Sequence, residues 1–147
     1  IVAALAREGI AAHSRCAEGP DYTGVWVPGD AQAAGGRARE RKIASIGVHV
    51  SRGVSTHGFA VNVTNDLAPF TWIVACGLPD VEMTSLAHEL PPERIPDPAG
   101  LRERVARCFC EAHGRRMHTI SPVDLDLPAD LAHDGAPAVA PLQGAPA

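Results

Sequence analysis

The stretch "RKIASIGVHVSRGVSTHGFAVNVTNDL", residues 41–67, decides the fold. In "KIASIGVHV" (42–50) the even positions are Lys42, Ala44, Ile46, Val48 and Val50, and the odd positions are Ile43, Ser45, Gly47 and His49. A period of two puts the apolar even set on one face of a β-strand. "SRGVS" (51–55) reads as a turn, and "THGFAVNVT" (56–64) as a second strand. Its Phe59, Val61 and Val63 share one face; Gly58, Ala60 and Asn62 share the other. Strands joined by so short a link predict an antiparallel hairpin.

Outward from the hairpin, "YTGVWVPGD" (22–30) predicts another strand, with Val25 and Val27 alternating with Trp26 and Pro28-Gly29 turning the chain. Residues 30–41 read as a polar, glycine-bearing loop. "IVAALAREGI" (1–10) predicts a short helix with apolar residues at 1, 2, 5 and 6 and a stop at Gly9. Residues 65–80 read as irregular, with Pro69 starting a turn or one helical turn, and Pro91-Pro92 ends the short segment "EMTSLAHEL" (82–90). A last helix is predicted from Asp97, an N-cap followed by Pro98, to His113, where Gly114 stops it. Residues 121–147 are rich in Ala, Pro, Asp and Gly and predict a disordered tail. Helix, strands and helix in that order make an α+β domain over residues 1–120.

A chain of 147 residues is one domain at most and long enough to bury a core. Its net charge of −4 gives no global attraction to nucleic acid. No run of about 18 apolar residues is present to span a membrane. The chain starts with Ile1 and shows no signal-peptide pattern, which reads as a chain beginning partway through a gene. The four cysteines, Cys16, Cys76, Cys108 and Cys110, read as free thiols in a reducing cytoplasm rather than as disulfides. Cys108, Cys110 and His113 have a spacing that suggests a metal triplet, yet on a helix residues two apart point about 160° from each other. No metal site is read there. The sequon "NVT" (62–64) falls in a predicted strand and carries no meaning in such a chain.

Cys76, in "IVACGLPD" (73–80), has two readings. Cysteine is often a small buried residue. A Cys-Gly step in irregular backbone instead leaves the sulfur accessible and the next N–H free to bond an oxyanion. A thiol with an ordinary pKa near ~8.5 then needs a partner to act at neutral pH. Lys42 and His57 are the candidates. Lys42 shares parity with Ala44, Ile46 and Val48, so its stem lies over an apolar face, where a partly desolvated ammonium would stabilise a thiolate. The alternative is a solvated strand-end lysine. His57, where turn becomes strand, is equally plausible as a hydrogen-bonded structural residue. The basic run "GGRARERK" (35–42) is either a solvated loop or a docking patch for an acidic partner.

Residues 41–67, together with "FTWIVACGLPDVEMTSL" (70–86), closely resemble the lipoyl(octanoyl) transferases, in the order and separation of that family's strand and Cys-Gly motifs. The match runs from about Val25 to Leu90, and more loosely back to Ile1. The resemblance implies a fold shared with biotin protein ligases and lipoate ligases, a mixed or antiparallel sheet with flanking helices. It implies ping-pong acyl transfer without a cofactor. Octanoyl would pass from acyl carrier protein to Cys76 as a thioester, and then to a lysine of a lipoyl domain, in 2-oxoacid dehydrogenases or the glycine cleavage H protein. Lys42 would lower the thiol's pKa and relay protons. Ser45, Ile46 and Gly47, with Gly58, Phe59 and Ala60, match positions lining the substrate site. There is one tension: strict alternation puts Ser45 and Gly47 on the face opposite Lys42, so either the strand bulges or these residues bind through their backbone. The family also carries a glycine-rich histidine segment upstream of the stretch matching Ile1, so the resemblance implies the C-terminal part of the enzyme. An ATP-dependent lipoate or biotin ligase, and an inactive fragment or binding module, are the competing readings.

Overall fold

The computed structural model describes residues 1–29, 39–78 and 81–120 together with Asp124, apart from the Cys76 side chain. The tail read over 121–147 lies outside the described residues except for Asp124, and so does most of the loop read over 30–41. The chain divides into a unit Ile1–Arg115 and a unit Arg116–Ala147. In the second, residues 116–120 form neither helix nor strand.

In the first unit the elements are α1 (Val2–Arg7), β1 (His13–Ser14), β2 (Gly24–Val27), β3 (Arg41–Ser51), β4 (Val54–Val61), β5 (Glu82–Met83), α2 (Leu86–Glu89) and α3 (Pro98–Ala112). Among the described residues the five strands make one sheet. Its order is β1-β2-β3-β4 with antiparallel neighbours, and β5 pairs parallel with the first residues of β3. The α+β reading holds.

The predicted hairpin is present, with a tighter turn. Arg52 and Gly53 alone connect the strands, at φ +51° and +79°. Positive φ at both central residues is the mirror-image turn whose twist matches antiparallel strands. β4 accordingly starts at Val54 and ends at Val61, so Asn62, Val63 and Thr64 lie beyond it. Asn62 fastens the strand end on two sides: its N–H donates to Ile43 O (3.0 Å) and its side-chain amide to Thr84 O (3.0 Å).

The one-faced burial predicted for β3 is not what forms. Lys42, Ile43 and Ala44 are all fully buried, whereas Val48 and Val50 are 57% and 64% exposed. The first half of β3 lies between β2 on one side and β5 on the other. Beyond Ser45, where β2 ends, only β4 pairs with it among the described residues. Burial therefore depends on how far the neighbours reach, and alternation alone does not set it.

Helices cover one face of the sheet. In α1 the buried residues are Ala4 and Leu5, while Val2 and Ala6 are exposed. The expected face through 1, 2, 5 and 6 is thus corrected: Ile1, Ala4, Leu5 and Glu8 have the i, i+3, i+4, i+7 spacing of one helical stripe. Gly9 ends α1 at φ +87°. α3 begins as predicted, with Asp97 accepting from Ala99 N–H (2.9 Å) and Gly100 N–H (3.1 Å). Leu101 of α3 joins Leu5, Val25, Val27, Ile43, Ala44 and Leu86 in the core. Glu8 pairs with Arg104 across the two helices, and Arg7 with Glu111 (2.7 Å).

A second tie closes the sheet edge. Arg41 donates to both carboxylate oxygens of Glu89 (3.0 Å each), and Thr84 Oγ1 donates to Oε1 (2.5 Å). Burial pushes the Glu89 carboxyl up, but the bonds from Arg41 and Thr84 outweigh it and hold the carboxyl below its ordinary range. A depressed folded-state pKa contributes stability above the unfolded value near 4.5 and loses it as pH falls through the folded value. Glu89→Gln should therefore cost about 1–3 kcal/mol at neutral pH. In urea unfolding the gap from wild type should close as the medium is made acidic; a gap independent of pH would show that the carboxylate is not its source.

Candidate functional site

The site is organised by an irregularity in β3. Val25 pairs with Ala44 and Gly24 with Ser45, but Trp26 pairs with Lys42 and Val27 with Arg41. Ile43 is the extra residue, a β-bulge. Paired residues on adjacent antiparallel strands share a face. Lys42 therefore lies on the face of Trp26, Gly24 and Ser45, and the bulge resolves the parity conflict met in the sequence. Across to β4, Ser45 pairs with Ala60 and Gly47 with Gly58. One face thus carries Lys42, then Ser45, Gly47, Gly58 and Ala60, a floor of small residues.

The other face takes Ile46, Phe59 and Val61 toward the helices. Ile46 and Val61 pack on the core, and Phe59 lines, with Val105 and Phe109, an apolar groove between β4 and α3. The six residues matched to a substrate site are thus divided by their side chains: four on the Lys42 face, Ile46 and Phe59 behind it.

Lys42 is a charged residue with no solvent exposure. Its stem runs over Gly24. A Cβ built at Gly24 would collide with Lys42 Cε, lie 3.2 Å from Nζ and 2.6 Å from Ala44 O. Gly24 also has φ +152°, a backbone conformation that L side chains rarely adopt. The Lys42 ammonium lies 5.2 Å from the centroid of the buried Trp26 ring. The indole N–H donates to Tyr22 O (3.0 Å), and the Arg15 guanidinium lies 4.7 Å from the Trp26 centroid and 4.4 Å from that of Tyr22. Arg15 is held by Glu18 (2.6 Å) and Glu40 (3.0 Å). The hydrogen bond with Glu18 raises the guanidinium's pKa and holds the Glu18 carboxyl below its ordinary range.

Cys76 sits in the helical turn Ala75–Gly77, which contacts the turn Pro20–Tyr22. A chain of neighbours, Lys42, Trp26, Tyr22, thus leads to the backbone that carries Cys76; its thiol lies outside the described features. The Gly77 N–H, expected to be free, donates to Val74 O (3.3 Å) because the turn closes on itself. It is not a ready oxyanion donor. Beside this turn is a cavity of about 600 Å³ whose lining includes Leu67, Phe70, Ile73, Ala75 and Leu78. His57 is exposed in mid-strand at φ +70°, opposite Val48. Among the described residues no three His, Cys, Asp or Glu side chains converge to hold a metal.

Sequence reasoning missed Gly24, Trp26, Tyr22 and Arg15. A signal existed for Trp26, whose indole N–H needs a partner when buried. None existed for Gly24, since its role depends on a side chain 18 positions away that the bulge turns toward it.

A family model described as lipoyl protein ligase A/B catalytic domain matches residues 1–110. The chain belongs to this family. Among curated relatives of this family member, an octanoyltransferase of Acidobacterium capsulatum is 46% identical over 110 residues, 74% of this chain and 40% of the relative. An octanoyltransferase of Frankia casuarinae is 44% identical over 88 residues, 58% of this chain and 36% of the relative. One of Mycobacterium avium is 54% identical over 71 residues, 48% of this chain and 28% of the relative. The chain therefore spans 40% or less of the length of these relatives. The family identified by the resemblance of residues 41–67 and 70–86 is the family found.

The three glycines of the site differ physically. A Cβ at Gly47 or Gly58 meets no described atom within 4 Å, and neither has a positive φ. Gly24→Ala should destabilise the fold by about 2 kcal/mol or more, through φ and the collision with Ala44 O. Gly47→Ala and Gly58→Ala should each fall within about 1 kcal/mol of wild type, on either side. Denaturant midpoints compare all three directly; equal losses at Gly24 and Gly58 would contradict the assignment of the open floor.

Proposed function

We propose that the protein is an octanoyltransferase acting through a cysteine thioester. Its support is the family membership joined to one observation: a fully buried lysine at the head of an open floor of small residues. Glycine weakens a strand interior, and neither φ nor any neighbour among the described residues calls for it at Gly47 or Gly58. A flat strip of backbone beside a buried cation suits a substrate whose acyl chain lies against the sheet while its carbonyl reacts nearby. The octanoyltransferase names of the relatives support this substrate class, although the chain spans only part of them.

In the first half-reaction the Cys76 thiolate attacks the thioester carbonyl of octanoyl-acyl carrier protein. A carbon–sulfur bond to Cys76 forms, the bond to the carrier's phosphopantetheine sulfur breaks, and that sulfur leaves as a thiol after taking a proton. In the second half a lipoyl-domain lysine, as free amine, attacks the enzyme thioester. The amide forms, Cys76 leaves as thiolate, and the amine's proton departs. Lys42 is the group that stabilises the thiolate and relays these protons. No ATP is consumed, since thioester exchange is near balance and amide formation is downhill. Acidic carrier and lipoyl domains are the partners, and the setting is cytoplasmic; within the basic run at 37–42, Lys42 is buried and Arg41 is tied to Glu89, so neither serves as a docking charge.

Incubation with octanoyl-acyl carrier protein and no ATP should leave an octanoyl group on the peptide containing Cys76, read by mass spectrometry. Cys76→Ser should abolish it. An adduct that appears only with ATP would turn the reading toward a ligase, and no adduct under either condition would remove the transferase claim. Lys42→Ala should slow alkylation of Cys76 near neutral pH, because the thiolate fraction falls. Gly58→Val should leave folding intact yet cut acyl transfer by about tenfold or more, equivalent to about 1.4 kcal/mol of barrier.

A further inference from the structure

A buried ammonium is costly unless its surroundings replace the water it has lost. Lys42 has no exposure, and two features of β2 lie against its end group. Gly24 lets the stem pass where any side chain would collide, and the Trp26 ring stands 5.2 Å from Nζ. The indole presents the strongest π quadrupole of the aromatic side chains to a cation. Its own orientation is set by the N–H bond to Tyr22 O. The charged and titratable groups around this ring include Arg15, itself tied to Glu18 and Glu40, and Tyr22. The Arg15 charge is thus answered by two carboxylates.

We propose that Trp26, with Gly24 as the gap beside it, is the positioning residue of the site: its π face holds the Lys42 ammonium in place for its work at Cys76. This rests on the proposed partnership of Lys42 and Cys76. Trp26 touches no reacting atom in this scheme and acts only through Lys42.

Shape and π charge are separated by replacing Trp26 with fluorinated tryptophans, which keep the indole's form and hydrogen bond while draining its π density. Trp72 is the other tryptophan and is 79% exposed, so Trp72→Phe confines the label to position 26. The readout is the pH midpoint of Cys76 alkylation, resolved by peptide from Cys16, Cys108 and Cys110. Successive fluorination should raise this midpoint stepwise, by roughly half a unit to one unit in all, a three- to tenfold loss of thiolate below the midpoint. In Lys42→Ala the same series should have no effect. A midpoint that ignores fluorination while Lys42→Ala moves it overturns the positioning role and leaves the Lys42–Cys76 reading standing. A series that shifts the midpoint equally in Lys42→Ala also overturns it, because Trp26 would then act without the lysine. If Lys42→Ala itself moves nothing, the underlying partnership fails and this proposal falls with it.

Discussion

One extra residue in β3 decides which side of the sheet receives a charge. Without Ile43 bulging between the partners of Val25 and Trp26, Lys42 would face the helices and enter the core beside Leu5 and Leu101. With the bulge, Ile43 and Ala44 fill that core, and Lys42 turns to the opposite face with Trp26. A buried cation among aliphatic side chains has no compensation, whereas one over an indole has some. The irregularity is therefore a condition for both the core and the site.

That constraint divides the sheet. The helix side is built from branched residues, Val25, Val27, Ile46 and Val61, packed in or against the hydrophobic core. The other side carries the buried Trp26 and Lys42 at one end and otherwise Gly24, Ser45, Gly47, Gly58 and Ala60, which contribute little apolar area. That strip of small residues adds little to stability, and its presence next to Lys42 is what supports the proposed ligand site. The clamp of Arg41, Glu89 and Thr84 sits at the same strand end, so the segment that presents Lys42 is fastened on both sides.

Much of this was legible in the residues. The hairpin can be read from alternation around Arg52-Gly53, and α3 from Asp97-Pro98 and Gly114, because turn and cap chemistry is local. The family was legible from linked motifs. Burial along β3 was not, since alternation says what each face is made of and not how far its neighbours extend. Val48 and Val50 are apolar and exposed for that reason. The Gly24–Lys42 contact was hidden too, because a bulge depends on the partner strand's register rather than on the bulged segment alone. The closed Gly77 N–H was a local matter that the Cys-Gly step does not disclose.

β3 also has a mechanical asymmetry. Its first residues are hydrogen-bonded on both edges, while from Ile46 to Ser51 its only described partner is β4, joined to it by the Arg52-Gly53 turn. Amide protons in the first segment are released only when the sheet opens as a whole, whereas those in the second need only the hairpin to fray. A single strand thus gives Lys42 a seat tied on both edges and gives the glycines farther along room to yield.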